Sequence, residues 1–152
     1  TDSNLIAQKI IDVKYGLFAT QAVLAKQAPT TLSELDDFPC IGVNSGGFKL
    51  PWYLSDNGKQ IKYIANAGFS VEDNDLVFKA TCSGLGIGFL PIFKVDKTLL
   101  TEPLLPVLVK HWPDPVPLFL VYPSKQYLPE KNRVFIDFMK EKFTWLQQYS
   151  AG

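Results

Sequence analysis

Ser70–Pro91 reads SVEDNDLVFKATCSGLGIGFLP, and this stretch decides the fold. Ser70 is a residue type that caps helix N-termini, and Asp73, three positions on, completes a capping-box arrangement. Leu76, Val77 and Ala80 recur at helical spacing. Gly84 supplies the left-handed residue that ends such a helix. Ile87–Leu90 is a short, fully apolar run closed by Pro91, the pattern of a buried strand. A helix that drops straight into a buried strand is half of a parallel α/β unit. Gly84, Gly86 and Gly88 do not make a dinucleotide loop. Such a loop follows a strand and opens a helix with G-x-G-x-x-G spacing, so that helix N–H groups meet the phosphates. Here the order is reversed and the spacing is G-x-G-x-G, which points to close helix–strand packing.

Working outward, Val13–Ala19 reads as a strand, with Gly16 marking a bend or a close approach of another backbone. Thr20 is placed to cap a short helix running through Gln27, and Pro29 stops it. Thr31 and Glu34 form a second capping box that opens a helical turn over Leu32–Asp37. Cys40–Val43 is a short buried strand, and Asn44-Ser45-Gly46-Gly47 reads as a loop. Phe48–Ala65 reads as a hairpin about Asp56-Asn57-Gly58, since Asn-Gly supplies the positive φ angles of a tight turn. A short helix or loop over Phe93–Lys97 leads to a strand in Leu104–Val109, which Pro106 confines to an edge or a bulge. Trp112–Val116 is a loop, and Leu118–Tyr122 a buried strand. Pro129 suits the first turn of a final helix. Its apolar stripe is Val134, Phe135, Phe138, Met139, Lys142, Trp145 and Leu146. The expected class is α/β, with a mixed, mainly parallel sheet flanked by helices.

Composition excludes several functions. The chain has 152 residues, 47% hydrophobic and 20% charged, the profile of one globular domain with a substantial core. Its 15 basic and 15 acidic residues balance, whereas phosphate-backbone binding needs a basic surface. No apolar run reaches the roughly 20 residues that span a bilayer. The opening TDSNLIAQK lacks the apolar core of a signal peptide. Cys40 and Cys82 are too few for a disulfide scaffold, and both are expected reduced, in the cytoplasm. One histidine, His111, and two cysteines out of ligand spacing give no zinc site, and no cofactor is expected. No activated nucleophile is legible either. There is no G-x-S-x-G elbow, and the acids Asp36, Asp37, Glu72, Asp73 and Asp75 read as helix-terminal or solvated charge.

What remains is a cleft. In parallel α/β sheets, ligands bind where strands end and helices begin. Three such junctions are expected, at Ala19-Thr20-Gln21, Val43-Asn44-Ser45-Gly46 and Ala67–Asp73. Thr20, Asn44, Ser45, Gly46 and Ser70 offer small groups there, and Phe48 and Trp52, after the glycine loop, are the aromatic candidates. Helix N–H groups at such junctions favour an anionic ligand.

Three segments also carry a family resemblance. SGLGIGFLP with Asp73 ahead of it, PVPLFLVYPSKQYLPEKNRVFIDFM (Pro115–Met139) and TDSNLIAQKIIDVKYGLFATQAVLA (Thr1–Ala25) together resemble the effector-binding domain of LysR-type transcriptional regulators. The likeness covers the later part of such a regulator. It implies a periplasmic-binding-protein-like lobe at 15–122, with 1–14 as the tail of a first lobe and 123–152 as a helix returning to it. Tyr15–Ala19 and Leu118–Tyr122 would be the crossing strands. Thr20 and Asn44–Gly46 would be this lobe's share of the effector cleft. The family usually has Ser-Pro where Thr20-Gln21 stands, and Asn-Asp where Glu72-Asp73 stands, so the effector class does not transfer. The implied partners are a small-molecule effector and further copies of the chain. DNA would be reached only through a winged helix-turn-helix domain not contained in this sequence. Without first-lobe cover for Phe135, Phe138 and Phe143, self-association or a helix swap is expected. A solute-binding module for transport, and an α/β enzyme using Cys82 or the acidic clusters, are the alternative readings.

Overall fold

The structure, a computed structural model, describes residues 5–66, 68–95, 102–123 and 130–150, with the side chains in them other than those of residues 132 and 143–150. In chain order the elements are β1 (Leu5–Val13), β2 (Tyr15–Ala19), α1 (Gln21–Leu24), a 3-10 turn (Ser33–Asp37), β3 (Ile41–Ser45), β4 (Phe48–Leu50), β5 (Trp52–Asp56), β6 (Lys59–Tyr63) and β7 (Phe69–Val71). Then come α2 (Asn74–Cys82), β8 (Gly88–Pro91), a 3-10 turn (Ile92–Lys94), β9 (Leu105–Val107), a 3-10 turn (Val109–His111), β10 (Val116–Pro123) and α3 (Glu130–Ser150). They form two compact units, Tyr15–Asp114 and Thr1–Lys14 with Pro115–Gly152.

In the Tyr15–Asp114 unit, β8-β2-β9 and β4-β3-β7 are three-stranded sheets. A parallel bridge between Cys40 and Ile87 joins them. It is held by Ile41 N–H to Ile87 O at 2.9 Å and Ile87 N–H to Pro39 O at 2.8 Å. Alternation along the strands then sorts the apolar residues onto two faces. Leu17, Ala19, Cys40 and Ile87 pack with Leu24, Leu35, Trp52 and Leu54. Phe18, Ile41, Val71 and Leu90 pack with Val77 and Ala80 of α2. Each face is a core, so the sheet is covered on both sides.

The expectation of a mainly parallel sheet is corrected. Among the described residues only β3–β7 is a parallel ladder. The pairs β1–β10, β2–β8, β2–β9, β3–β4 and β5–β6 are all antiparallel. Two of these follow from two-residue turns, Gly46-Gly47 and Asn57-Gly58, with positive φ at both positions, the geometry of a tight hairpin. Two more arise because β2 is inserted between β8 and β9 and runs against both.

The central helix is real but starts later than its cap pattern suggests. Ser70 lies in β7, paired beside Gly42, and is not the cap. Asp73 is, accepting the Leu76 N–H at 2.8 Å. The helix ends as expected. Leu85 N–H reaches Ala80 O and Gly84 N–H reaches Thr81 O, both at 3.1 Å, with Gly84 at φ +78°, the bonding of a Schellman cap. The glycines after it serve packing. A Cβ at Gly86 would lie 2.7 Å from Pro39 O, and one at Gly88 would collide with the Thr81 side chain. Gly16 also marks a close approach, but to the Trp112 indole rather than to a backbone.

Other expectations shift. Asn44 and Ser45 are the end of β3, and only Gly46-Gly47 turns. The helix expected from Thr20 through Gln27 is the single turn α1. Glu34 N–H does bond Thr31 Oγ1 at 3.3 Å, but the Glu34 carboxylate turns to Thr30 N–H at 2.8 Å. Pro106 sits in β9, which pairs only with β2 among the described strands, as an edge strand should. Pro129, Lys97 and Ala67 lie outside the described residues, as do the side chains of Phe143, Trp145 and Leu146.

In the other unit, β1 and β10 pair from Leu5↔Pro123 to Val13↔Val116, with a register slip between Lys9 and Ile11. The helix α3 packs against β1, and among the described residues Ile11, Val13 and Ile136 are the buried ones. Leu118–Tyr122, expected as a buried strand, is a largely exposed part of β10. Its continuous apolar pattern signals two buried faces, whereas among the described residues β10 pairs with β1 alone and most of its side chains are exposed.

Candidate functional site

The candidate residues are sorted by strand register. On β3, Gly42 stands opposite Ser70 of β7, and Asn44 opposite Lys49 of β4. Directly paired residues share a face. Gly42, Asn44, Lys49 and Ser70 therefore occupy one face of this three-stranded sheet. The other face takes Ile41, Val43 and Ser45 with their partners Phe69, Val71, Leu50 and Phe48.

The first face is polar. The Asn44 Oδ1 is buried and has no hydrogen-bond partner. Ser70 and Lys49 flank it and are exposed, and Lys49 makes no ion pair among the described residues. The second face is apolar. Its inner part is closed by α2, while Phe48 at its rim is 75% exposed.

Thr20 is not part of this constellation. It is 1% exposed, and its Oγ1 is also unpartnered. The β2–β8 register pairs Phe18 with Gly88, so the chain beyond Ala19 reaches the start of β8, level with Cys40. Asn44 lies four residues further along β3, about 13 Å away at roughly 3.3 Å per residue. The fold thus brings Asn44 and Ser70 to one face and sets Ser45 and Phe48 on the reverse. Gly46 forms the turn at φ +58°, and Thr20 stands at the opposite edge, against Gly84. Residue type alone does not single out Lys49 on this face. The signal was present: once Gly46-Gly47 is a two-residue turn, Ser45 faces Phe48 and Asn44 faces Lys49.

Groups that could do chemistry are otherwise quiet. Both cysteines are free thiols. Burial, with the nearby Asp36 charge, pushes the Cys40 thiol up to about 12. Burial also raises Cys82. A nucleophilic cysteine needs the reverse shift. Tyr63 donates to Asp36 Oδ1 at 2.7 Å, and burial followed by that bond raises its phenol. The His111 Nδ1 lies 2.9 Å from Ser55 O and 3.9 Å from Asp56 Oδ1. Lys94 bonds Asp75 and holds its carboxyl below the usual range, first through the hydrogen bond and then through charge. Among the described residues no three His, Cys, Asp or Glu side chains group as metal ligands, and no helix is long and apolar enough to cross a membrane.

Comparison with known proteins decides the family. Residues 1–144 match the LysR substrate binding domain. The chain belongs to this LysR family. It is 26% identical over 145 residues to the HTH-type transcriptional regulator PgrR of Escherichia coli K12, covering 93% of this chain and 48% of that one. With the HTH-type regulator PtxR of Pseudomonas aeruginosa it shares 27% over 143 residues, covering 92% and 45%. Among solved structures, the regulatory domain of CrgA, a LysR-type regulator from Neisseria meningitidis, superposes with a TM-score of 0.77 at 29% identity. That match covers 93% of this chain and 70% of the CrgA domain. Full-length AphB, the Vibrio cholerae virulence activator, gives 0.74 at 31% identity, over 91% of this chain and 47% of AphB. The chain spans about half the length of the curated relatives it matches. Its α/β architecture is that of LysR regulatory domains, and the relatives it matches are named as transcription regulators.

Proposed function

We propose that this chain senses a small, anionic effector and transmits its binding to DNA recognition by a winged helix-turn-helix domain of the same regulator. The regulator would be a cytoplasmic homo-oligomer. The effector would bind the polar face of β4-β3-β7, around Asn44 and Ser70. In the lobe scheme of the family, Tyr15–Asp114 would be the second lobe. The first lobe would be completed by sequence that precedes β1.

One observation carries the location. A buried acceptor without a partner costs about 1–3 kcal/mol, and the Asn44 Oδ1 is such an acceptor beside solvent-facing Ser70 and Lys49. A ligand N–H or O–H would remove that cost. Thr20 is unpartnered too, but it is enclosed. Binding then acts as a population shift, favouring whichever lobe arrangement holds the ligand more tightly.

The test is a thermal-shift screen of central metabolites against the chain and its Asn44→Leu variant. A ligand present at 100 times its Kd stabilises by about 2.7 kcal/mol. We expect at least one carboxylate to raise the Tm of the parent. The variant should fold at least as stably, because an unpaired acceptor is gone, yet lose the ligand shift. A variant that keeps the full shift would remove Asn44 from the site.

A further inference from the structure

We propose that Lys49 is the specificity-determining residue of this face, and that it selects a carboxylate carrying a hydroxyl or amino group beside it. The inference rests on the effector-site reading above and sharpens it to a ligand class. Lys49 and Asn44 are directly paired across the β3–β4 hairpin. Their Cβ atoms are therefore about 4.5–5.5 Å apart on the same face. The two groups have complementary needs. The Lys49 ammonium is an exposed cation with no acidic partner among the described residues. The Asn44 Oδ1 is a buried acceptor with no donor.

A bare anion would satisfy the lysine and repel the amide oxygen. A neutral donor would satisfy the amide and leave the lysine solvated. A molecule with a carboxylate and a donor on the adjacent carbon satisfies both, and its two groups fit the span of one cross-strand pair. Gly42 adds no side chain to this face. Ser70, across from Gly42 on the other side of β3, adds a second small hydroxyl to the same face. The rigid part is the hairpin itself. Its two-residue turn locks the register, so the lysine stem leaves the sheet at a fixed point.

The experiment is an amide-resolved NMR titration of the chain with three probes on the same three-carbon skeleton: lactate, propionate and lactamide. Lactate has the charge and the donor, propionate lacks the donor, and lactamide lacks the charge. We expect saturable lactate shifts at the amides of residues 41–50 and 69–71. Propionate and lactamide should each bind about tenfold more weakly, the loss of one charge-assisted or otherwise unpaired bond. The Lys49→Met variant should lower lactate affinity about tenfold and leave lactamide unchanged, while Lys49→Arg should restore lactate. Lys49 is exposed, so both variants keep the fold. Lactamide binding as tightly as lactate at these amides would overturn the role of Lys49 while leaving the site standing. No probe moving any of these amides would overturn both the site and its selectivity.

Discussion

Gly88 and Thr81 show how one missing methyl group fixes the distance between α2 and β8. The Thr81 side chain is fully buried, and its hydroxyl donates to Val77 O at 2.7 Å. A Cβ at residue 88 would press on that hydroxyl and stand 3.2 Å from Thr81 Cβ. Thr81 can yield only by turning its Oγ1 away and breaking the bond to Val77. We expect Gly88→Ala to destabilise the chain by about 2 kcal/mol, within the usual cost of overpacking. Thr81→Ala alone should cost about 1 kcal/mol for the lost bond. The double variant should cost less than the sum, because removing the hydroxyl relieves most of the clash. Urea denaturation of the four proteins closes this cycle, and strict additivity would mean that α2 simply moves outward to admit the methyl group.

At the scale of elements, the start of α2 tests the caps directly. Asp73→Ala should remove about 1 kcal/mol from the chain's stability, since its side chain holds the Leu76 N–H. Asp73→Ser should recover most of it. Ser70→Ala should stay within about 0.5 kcal/mol, as an exposed strand position whose side chain makes no hydrogen bond among the described residues. Equal losses at 70 and 73 would restore the Ser70 cap. The contrast shows what the sequence made legible. Features set by neighbours in the chain were readable, among them the Asn57-Gly58 turn, the Gly84 cap and the apolar β8. Features set by distant pairing were not. Ser70 has the chemistry of a cap, but Phe69–Val71 is drawn into a strand by β3, some 28 residues earlier. The antiparallel character of the sheet comes from β2 lying between β8 and β9, and no local pattern encodes that insertion. The site suffered in the same way. Residue type alone pointed to Asn44 and Ser70, but placing Lys49 on their face needed the register, and so did setting Thr20 at the opposite edge, on a strand that runs against β3, β7 and β8.

At the scale of the whole molecule, the unit made of Thr1–Lys14 and Pro115–Gly152 leaves much apolar surface uncovered. Phe135 and Phe138 are 54% and 56% exposed, and Val134 of the same helix and Phe119 and Val121 of β10 are exposed too. Phe135 and Phe138 are three residues apart, so they share a face of α3, while Ile136 points inward and is buried. Soluble monomers rarely carry contiguous apolar patches beyond a few hundred Å². The physical outcome is association through that face, by docking of two copies or by exchange of α3. Sedimentation of the chain across a hundredfold concentration range should show a monomer giving way to dimer or larger species. The variant Phe135→Glu with Phe138→Glu should remain monomeric throughout, with unchanged helical circular dichroism, because neither side chain belongs to the buried set. A parent chain that stays monomeric at every concentration would mean that these rings are too dispersed on the surface to act as one patch. Association that survives both glutamates would move the interface to another surface, with the exposed edge of β4 and its Phe48 as the next place to substitute.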